Sequence, residues 1–144
     1  MKTLLLGTSC LWNCGDDFIR KGLLDLIQLK ADTRTLWWNR AFGVKKVYAN
    51  DVKVNLHATD YVLICGTPEW VNQNEQIYRH CLRHGIRLSL IGIGLRGCIC
   101  NSAQRRLMEK VAKSGLVEVC MVRDRIALQF LKDLGFKDVE LICD

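Results

Sequence analysis

The sequence predicts an α/β fold in which a mostly parallel sheet of five or six strands is doubly wound, with helices on both faces. Three observations predict it. Short apolar runs alternate with amphipathic stretches along the chain, the signature of repeated strand–helix–strand units. Tyr61–Cys65 (YVLIC) is apolar on both faces, as a strand sandwiched between two helical layers must be. Glycines, arginines and aspartates gather just after the apolar runs, where open α/β sheets bind their ligands.

Each element follows from its own residues. Lys2–Gly7 reads as a buried strand. Asp16–Lys30 reads as a helix, with Ile19, Leu23, Leu26, Ile27 and Lys30 at three- and four-residue spacing. Thr33–Trp38 is a second strand with a bulky Leu36-Trp37-Trp38 end, and Arg40–Asn55 holds a turn at Gly43 and an ambiguous short element near Val47. Tyr61–Cys65 is the third strand. Thr67 can cap the next helix, with Pro68 at its first position and Glu69 near the positive end of its dipole. Val71, Asn74, Tyr78, Cys81 and Leu82 share one face of that helix, and Gly85 closes it.

Arg87–Ile91 is the fourth strand. Ser102 caps a helix to Ser114, with Ala103, Leu107 and Val111 facing the core and Gly115 ending it. Val117–Val122 is the fifth strand. Asp124 caps a helix with Ala127, Leu131 and Leu134 inward, ended by Gly135, and Val139–Cys143 is the sixth strand. Residues 1–144 thus form one Rossmann-like domain, long enough to bury a core without staples.

The composition narrows the function. Apolar residues make up 49% and charged residues 25%, which is ordinary for a globular chain. The net charge of +6, from 21 Lys and Arg against 15 Asp and Glu, favours anionic ligands. The basic residues are scattered and no basic run is interleaved with aromatics, so nucleic acid is not an expected partner. No run reaches the roughly 18 apolar residues of a membrane span, so no membrane association is expected either. Met1–Gly7 is too short for the apolar region of a secretory signal. A cytoplasmic, reducing compartment is expected, with the eight cysteines as thiols rather than a disulfide framework.

Candidate chemistry lies on the loops after the strands. The first runs from Thr8 to Asp17 and enters a helix, whose backbone N–H groups and dipole can hold an anion. Asp16 and Asp17 place negative charge at that point. Asp16 reads either as a base or sugar-hydroxyl acceptor, or as a plain N-cap. Gly92-Ile93-Gly94 lets backbone approach a ligand or a neighbouring loop. With Gly97 it matches the bare G-x-G-x-x-G pattern, but it follows the fourth strand and not the first, so no nucleotide cofactor is expected.

Arg96 and Arg123 can grip a carboxylate or phosphate in bidentate fashion; Arg123 can equally pair with a loop acid. Cys10, Cys14, Cys98 and Cys100 could converge on a metal, but their spacing is not that of a zinc ribbon, and no metal is expected. Cys65, Cys81, Cys120 and Cys143 read as core thiols. His57, His80 and His84 read as separate surface histidines without partners.

The order of these loops resembles the polysaccharide pyruvyl transferase family. The family's N-x-G-D element after the first strand is matched by Asn13-Cys14-Gly15-Asp16. A glycine-containing turn after a central strand is matched by Gly66-Thr67-Pro68-Glu69-Trp70, and a strand ending in G-x-G by Gly92-Ile93-Gly94. An R-D pair before a helix is matched by Arg123-Asp124, with Ala127 and Leu131 following, and a strand ending in aspartate by Leu141–Asp144. The resemblance departs from the family at Leu95, where a proline is common, and at the Cys10–Cys14 loop.

The resemblance implies transfer of the enolpyruvyl group of phosphoenolpyruvate to a saccharide, giving a pyruvate ketal. It also implies that the chain is similar to the amino-terminal, acceptor-binding half of a GT-B fold, with most phosphoenolpyruvate contacts supplied elsewhere. Asp16 is then the expected catalytic residue. Asn13, Gly15, Asp17, Gly66, Thr67, Glu69, Gly92, Gly94, Arg96, Arg123 and Asp124 are expected at the substrate. A second domain or a second copy is the expected protein partner. Two other readings remain open: a non-catalytic binding or assembly module, and a small nucleotide-binding protein.

Overall fold

The computed structural model describes residues 2–7, 14–27, 33–38, 56–66, 71, 74–95 and 100–142. They form six strands and four helices: β1 (Lys2–Gly7), α1 (Cys14–Ile27), β2 (Thr33–Trp38), β3 (Tyr61–Cys65), α2 (Glu75–His84), β4 (Arg87–Ile93), α3 (Ser102–Lys113), β5 (Val117–Val122), α4 (Arg125–Asp133) and β6 (Val139–Leu141). All strand pairs are parallel. The order β2-β1-β3-β4-β5-β6 makes one sheet. The doubly wound parallel fold expected from the sequence is therefore present.

The order explains the layers. From β1 the chain steps one way to β2, and from β3 it steps the other way through β4, β5 and β6. Crossovers between parallel strands are right-handed, so a reversed step puts its helices on the opposite face. Val62, Ile64, Leu88, Leu90, Cys120 and Val122 bury one face under α2, α3 and α4, joined by Ile77, Tyr78, Leu107, Met108, Val111 and Leu131. Leu4, Leu63 and Cys65 point the other way and pack against Leu23 and Ile19 of α1. Ile64, Leu88 and Leu90 are each wholly buried, which contributes about 2 kcal/mol per side chain.

Strand limits follow the apolar runs. β1, β2, β3 and β5 match the expected bounds, whereas β4 extends two residues further, to Ile93. The helix starts differ more. α2 begins at Glu75 after Asn74, whose φ of −107° and ψ of 13° are not helical, although Val71 is helical and buried. Thr67, Pro68 and Glu69 lie outside the described residues. The expected inward face holds: Val71, Asn74, Tyr78 and Cys81 are all buried.

α3 is capped by Asn101 and not Ser102. The Asn101 side chain accepts from the Gln104 backbone at 2.9 Å while the Gln104 side chain accepts from the Asn101 backbone at 3.1 Å, a reciprocal arrangement Ser102 could not make one residue later. Its inward residues are Leu107, Met108 and Val111, while Ala103 is exposed. On α4, Ala127, Leu131 and Leu134 are buried as expected, with Asp124 as cap.

Candidate functional site

Because every strand runs the same way, all carboxyl ends meet along one rim. Gly66 follows β3, Gly92 to Leu95 end β4, and Arg123-Asp124 follow β5. The backbone of Cys14, Gly15, Asp16 and Asp17 forms the first turn of α1, which follows β1. The reversal of strand order lies between β1 and β3, so the rim contains a topological switch point, the usual ligand position in such sheets.

Gly66 ties α1 to this rim. Its φ is +66°, a left-handed conformation that side chains other than glycine's resist. A Cβ added there would lie 2.5 Å from Cδ1 of Ile19 and 2.9 Å from its Cγ2. The bare backbone therefore lets α1 seat Ile19 directly on the end of β3.

Gly92 is the extra residue of a bulge. Ile91 pairs with Met121 and Ile93 with Val122, which leaves Gly92 between them with φ +65°. Bulges re-aim the residues that follow them and recur beside active sites. Here the residue re-aimed is Gly94. A Cβ on Gly94 would lie 2.5 Å from Nε of Arg123 and 2.8 Å from Oδ2 of Asp124. The close approach that the G-I-G motif implies is thus made to a neighbouring loop.

Asp124 holds that loop with both oxygens. Oδ1 accepts the Ala127 backbone N–H at 2.7 Å, capping α4, and Oδ2 accepts the Leu95 backbone N–H at 3.1 Å. The Arg123 backbone N–H donates to the Ile93 carbonyl at 3.0 Å. Arg123 itself is exposed and runs across Gly94. It takes no part in the ion pairs Arg79–Glu75, Arg87–Glu118 and Arg105–Glu109. Beside this clamp, Leu95, Arg125, Ile126, Gln129, Phe130 and Asp133 line an open, largely apolar groove of about 440 Å³, and Ile126 there is 68% exposed.

The structure therefore brings Gly66, Gly92, Gly94, Arg123 and Asp124 to one rim, with the α1 backbone at Gly15, Asp16 and Asp17 following β1 at the same end. Asn13, Thr67, Glu69 and Arg96 lie outside the described residues, as do Cys10, Cys98 and Cys143. Burial pushes the Cys81 and Cys120 thiols up to about 12, so neither is a thiolate nucleophile near neutral pH. Cys65 is buried as well. One grouping escaped the sequence reading: His57, His80 and His84 are not separate but form a cluster. The four-residue spacing of His80 and His84 was its one visible signal.

Fold and rim define a doubly wound α/β domain whose carboxyl edge carries Gly66, Gly92 and Gly94. A family model described as polysaccharide pyruvyl transferase matches residues 13–144. The chain belongs to the polysaccharide pyruvyl transferase family. No curated protein matches it.

Proposed function

We propose that this domain forms the acceptor-saccharide wall of an enzyme that transfers the enolpyruvyl group of phosphoenolpyruvate to a sugar, in the arrangement of one half of a GT-B fold in the cytoplasm. The observation that carries the reading is the family match over residues 13–144 together with the Gly94–Asp124 clamp. The clamp fixes the loops after β4 and β5 against each other, and so fixes where Arg123 can reach.

In this reading Asp16 takes the proton of an attacking sugar hydroxyl, and Asn13 and Asp17 hydrogen-bond the acceptor. Arg123 and Arg96 offer forked donors to the carboxylate or phosphate of phosphoenolpyruvate. Gly15, Gly66, Gly92 and Gly94 give the ligand access to backbone, and Thr67 and Glu69 border it. Asp124 is a positioning residue, since each of its oxygens already holds a backbone N–H. Phosphoenolpyruvate carries more negative charge than one or two arginines neutralise, so a second wall supplies the remaining cations. The apolar groove beside Leu95 is the surface such a wall, from a second domain or a second copy, would cover.

The test is a panel of saccharide acceptors offered to the isolated chain, followed by ligand-detected NMR and by phosphate release from phosphoenolpyruvate. Weak saccharide binding that Asp16→Asn diminishes, and weak phosphoenolpyruvate binding that Arg123→Ala diminishes, both without turnover, are expected. Rapid phosphate release by the isolated chain would refute the second wall, and absence of binding to every saccharide would refute the acceptor role.

A further inference from the structure

Charge is divided unevenly between the two faces of the sheet. α2, α3 and α4 cover one face, and together they carry eight Lys and Arg against three Asp and Glu, a net of +5. α1, which packs on the other face, carries two Lys and Arg against three Asp, a net of −1. Basic residues that are scattered along the chain are thus gathered by the fold. All eight cations of the three helices are exposed.

The buried residues explain the placement. Ile77, Tyr78 and Cys81 form the inward face of α2, which puts Arg79 and Arg83 on its outer side. Leu107, Met108 and Val111 do the same on α3, which puts Arg106 and Lys113 outward. α2 and α3 pack side by side, so the two basic stripes share one surface. Glu75 and Glu109 are spent on Arg79 and Arg105, and neither pair uses Arg83, Arg106 or Lys113.

We propose that the outer surface of α2 and α3 is a docking face for an anionic lipid bilayer. Clusters of about four to eight Lys and Arg on helices are drawn to acidic headgroups. A broad layer of helices meets a plane along its length, whereas duplex nucleic acid takes a single helix into its groove. The exposed positions of the three helices hold no Phe, Tyr or Trp on which a base could stack. No helix among the described residues is long and apolar enough to cross a membrane; a face held by charge needs none, and its hold is reversible and salt-sensitive. With α2 and α3 flat on the bilayer, the carboxyl rim points along the surface and not into it.

The test is co-sedimentation of the full chain with vesicles of phosphatidylserine and phosphatidylcholine in equal parts, beside vesicles of phosphatidylcholine alone. Binding to the acidic vesicles at low ionic strength, lost at about 0.5 M salt, is expected, with none to the neutral ones. Arg106→Glu combined with Lys113→Glu should weaken it roughly tenfold or more, with the fold intact by circular dichroism. Lys2→Glu combined with Lys21→Glu makes the same change of net charge away from this face and should weaken it less than about twofold. No binding to acidic vesicles, whether or not duplex DNA binds in their place, equal binding to neutral vesicles, or equal loss in the two double variants would each overturn the bilayer face.

Discussion

The two ends of this sheet are held in different ways. At the amino end the links are polar side chains, one pair of them an exposed ion pair. Arg87 pairs with Glu118 at 2.5 Å, both exposed; Tyr61 shares a hydrogen bond with the buried Ser89 at 2.5 Å; and Asp60 accepts the buried Thr3 backbone N–H at 2.7 Å. At the carboxyl end the links are bare backbone and one shared carboxylate: Ile19 on Gly66, Arg123 across Gly94, and Asp124 between Leu95 and Ala127. Solvent can replace an exposed ion pair, but nothing replaces a missing Cβ or a carboxylate that serves two backbone donors. The difference teaches where precision is needed. The end that positions loops is built from contacts with little tolerance, whereas the Arg87–Glu118 pair at the other end has much.

The contrast is sharpest at Asp124. Asp124→Ala removes a helix cap and strands the Leu95 N–H, which should cost about 2–4 kcal/mol of stability in chemical denaturation. It should also weaken any ligand held by Arg123. Gly66→Ala combines left-handed strain with displacement of Ile19 and should cost about 2 kcal/mol. A loss below about 0.5 kcal/mol would mean that α1 is not seated on Gly66.

Gly94→Ala should cost somewhat less, about 1.5 kcal/mol, because the Arg123 side chain can swing aside while Oδ2 of Asp124, 2.8 Å from the added Cβ, must shift as well. Its larger effect should be on ligand affinity, read by titration, since the swing moves the guanidinium. At the amino end, Glu118→Gln should change stability least. Arg87 holds the Glu118 carboxyl below its ordinary value of 4.5. Glu118 therefore contributes stability above that value and loses it as pH falls through its lower folded value. Wild type and Glu118→Gln should converge in urea melts below about pH 4.5 and stay parallel above it.

The sequence carried more of the fold than of the site, for physical reasons. A parallel strand is written in a contiguous apolar run, so Tyr61–Cys65 and Val117–Val122 could be bounded directly. Helix starts depend on which of two adjacent capping residues wins, and Asn101 prevails over Ser102 because Gln104 answers it. Ala103 gave way to Met108 because the inward face of α3 turned out to be set by its larger residues. Asp124 was legible as a cap, since Ala127 is three residues away, but not as a clamp, since Leu95 is 29 residues away. The same holds for His57 and His80, which meet only after β3 and α2 have packed.

The central claim is that ligand binds at the carboxyl rim and not at the amino end. Amide shift mapping of the labelled chain, titrated with saccharide and then with phosphoenolpyruvate, tests it most directly. The account predicts shifts at Gly66, Gly94, Leu95, Arg123 and Asp124, with His57, Arg87 and Glu118 unmoved. Shifts gathered around Arg87 and Glu118, with the rim silent, would contradict it.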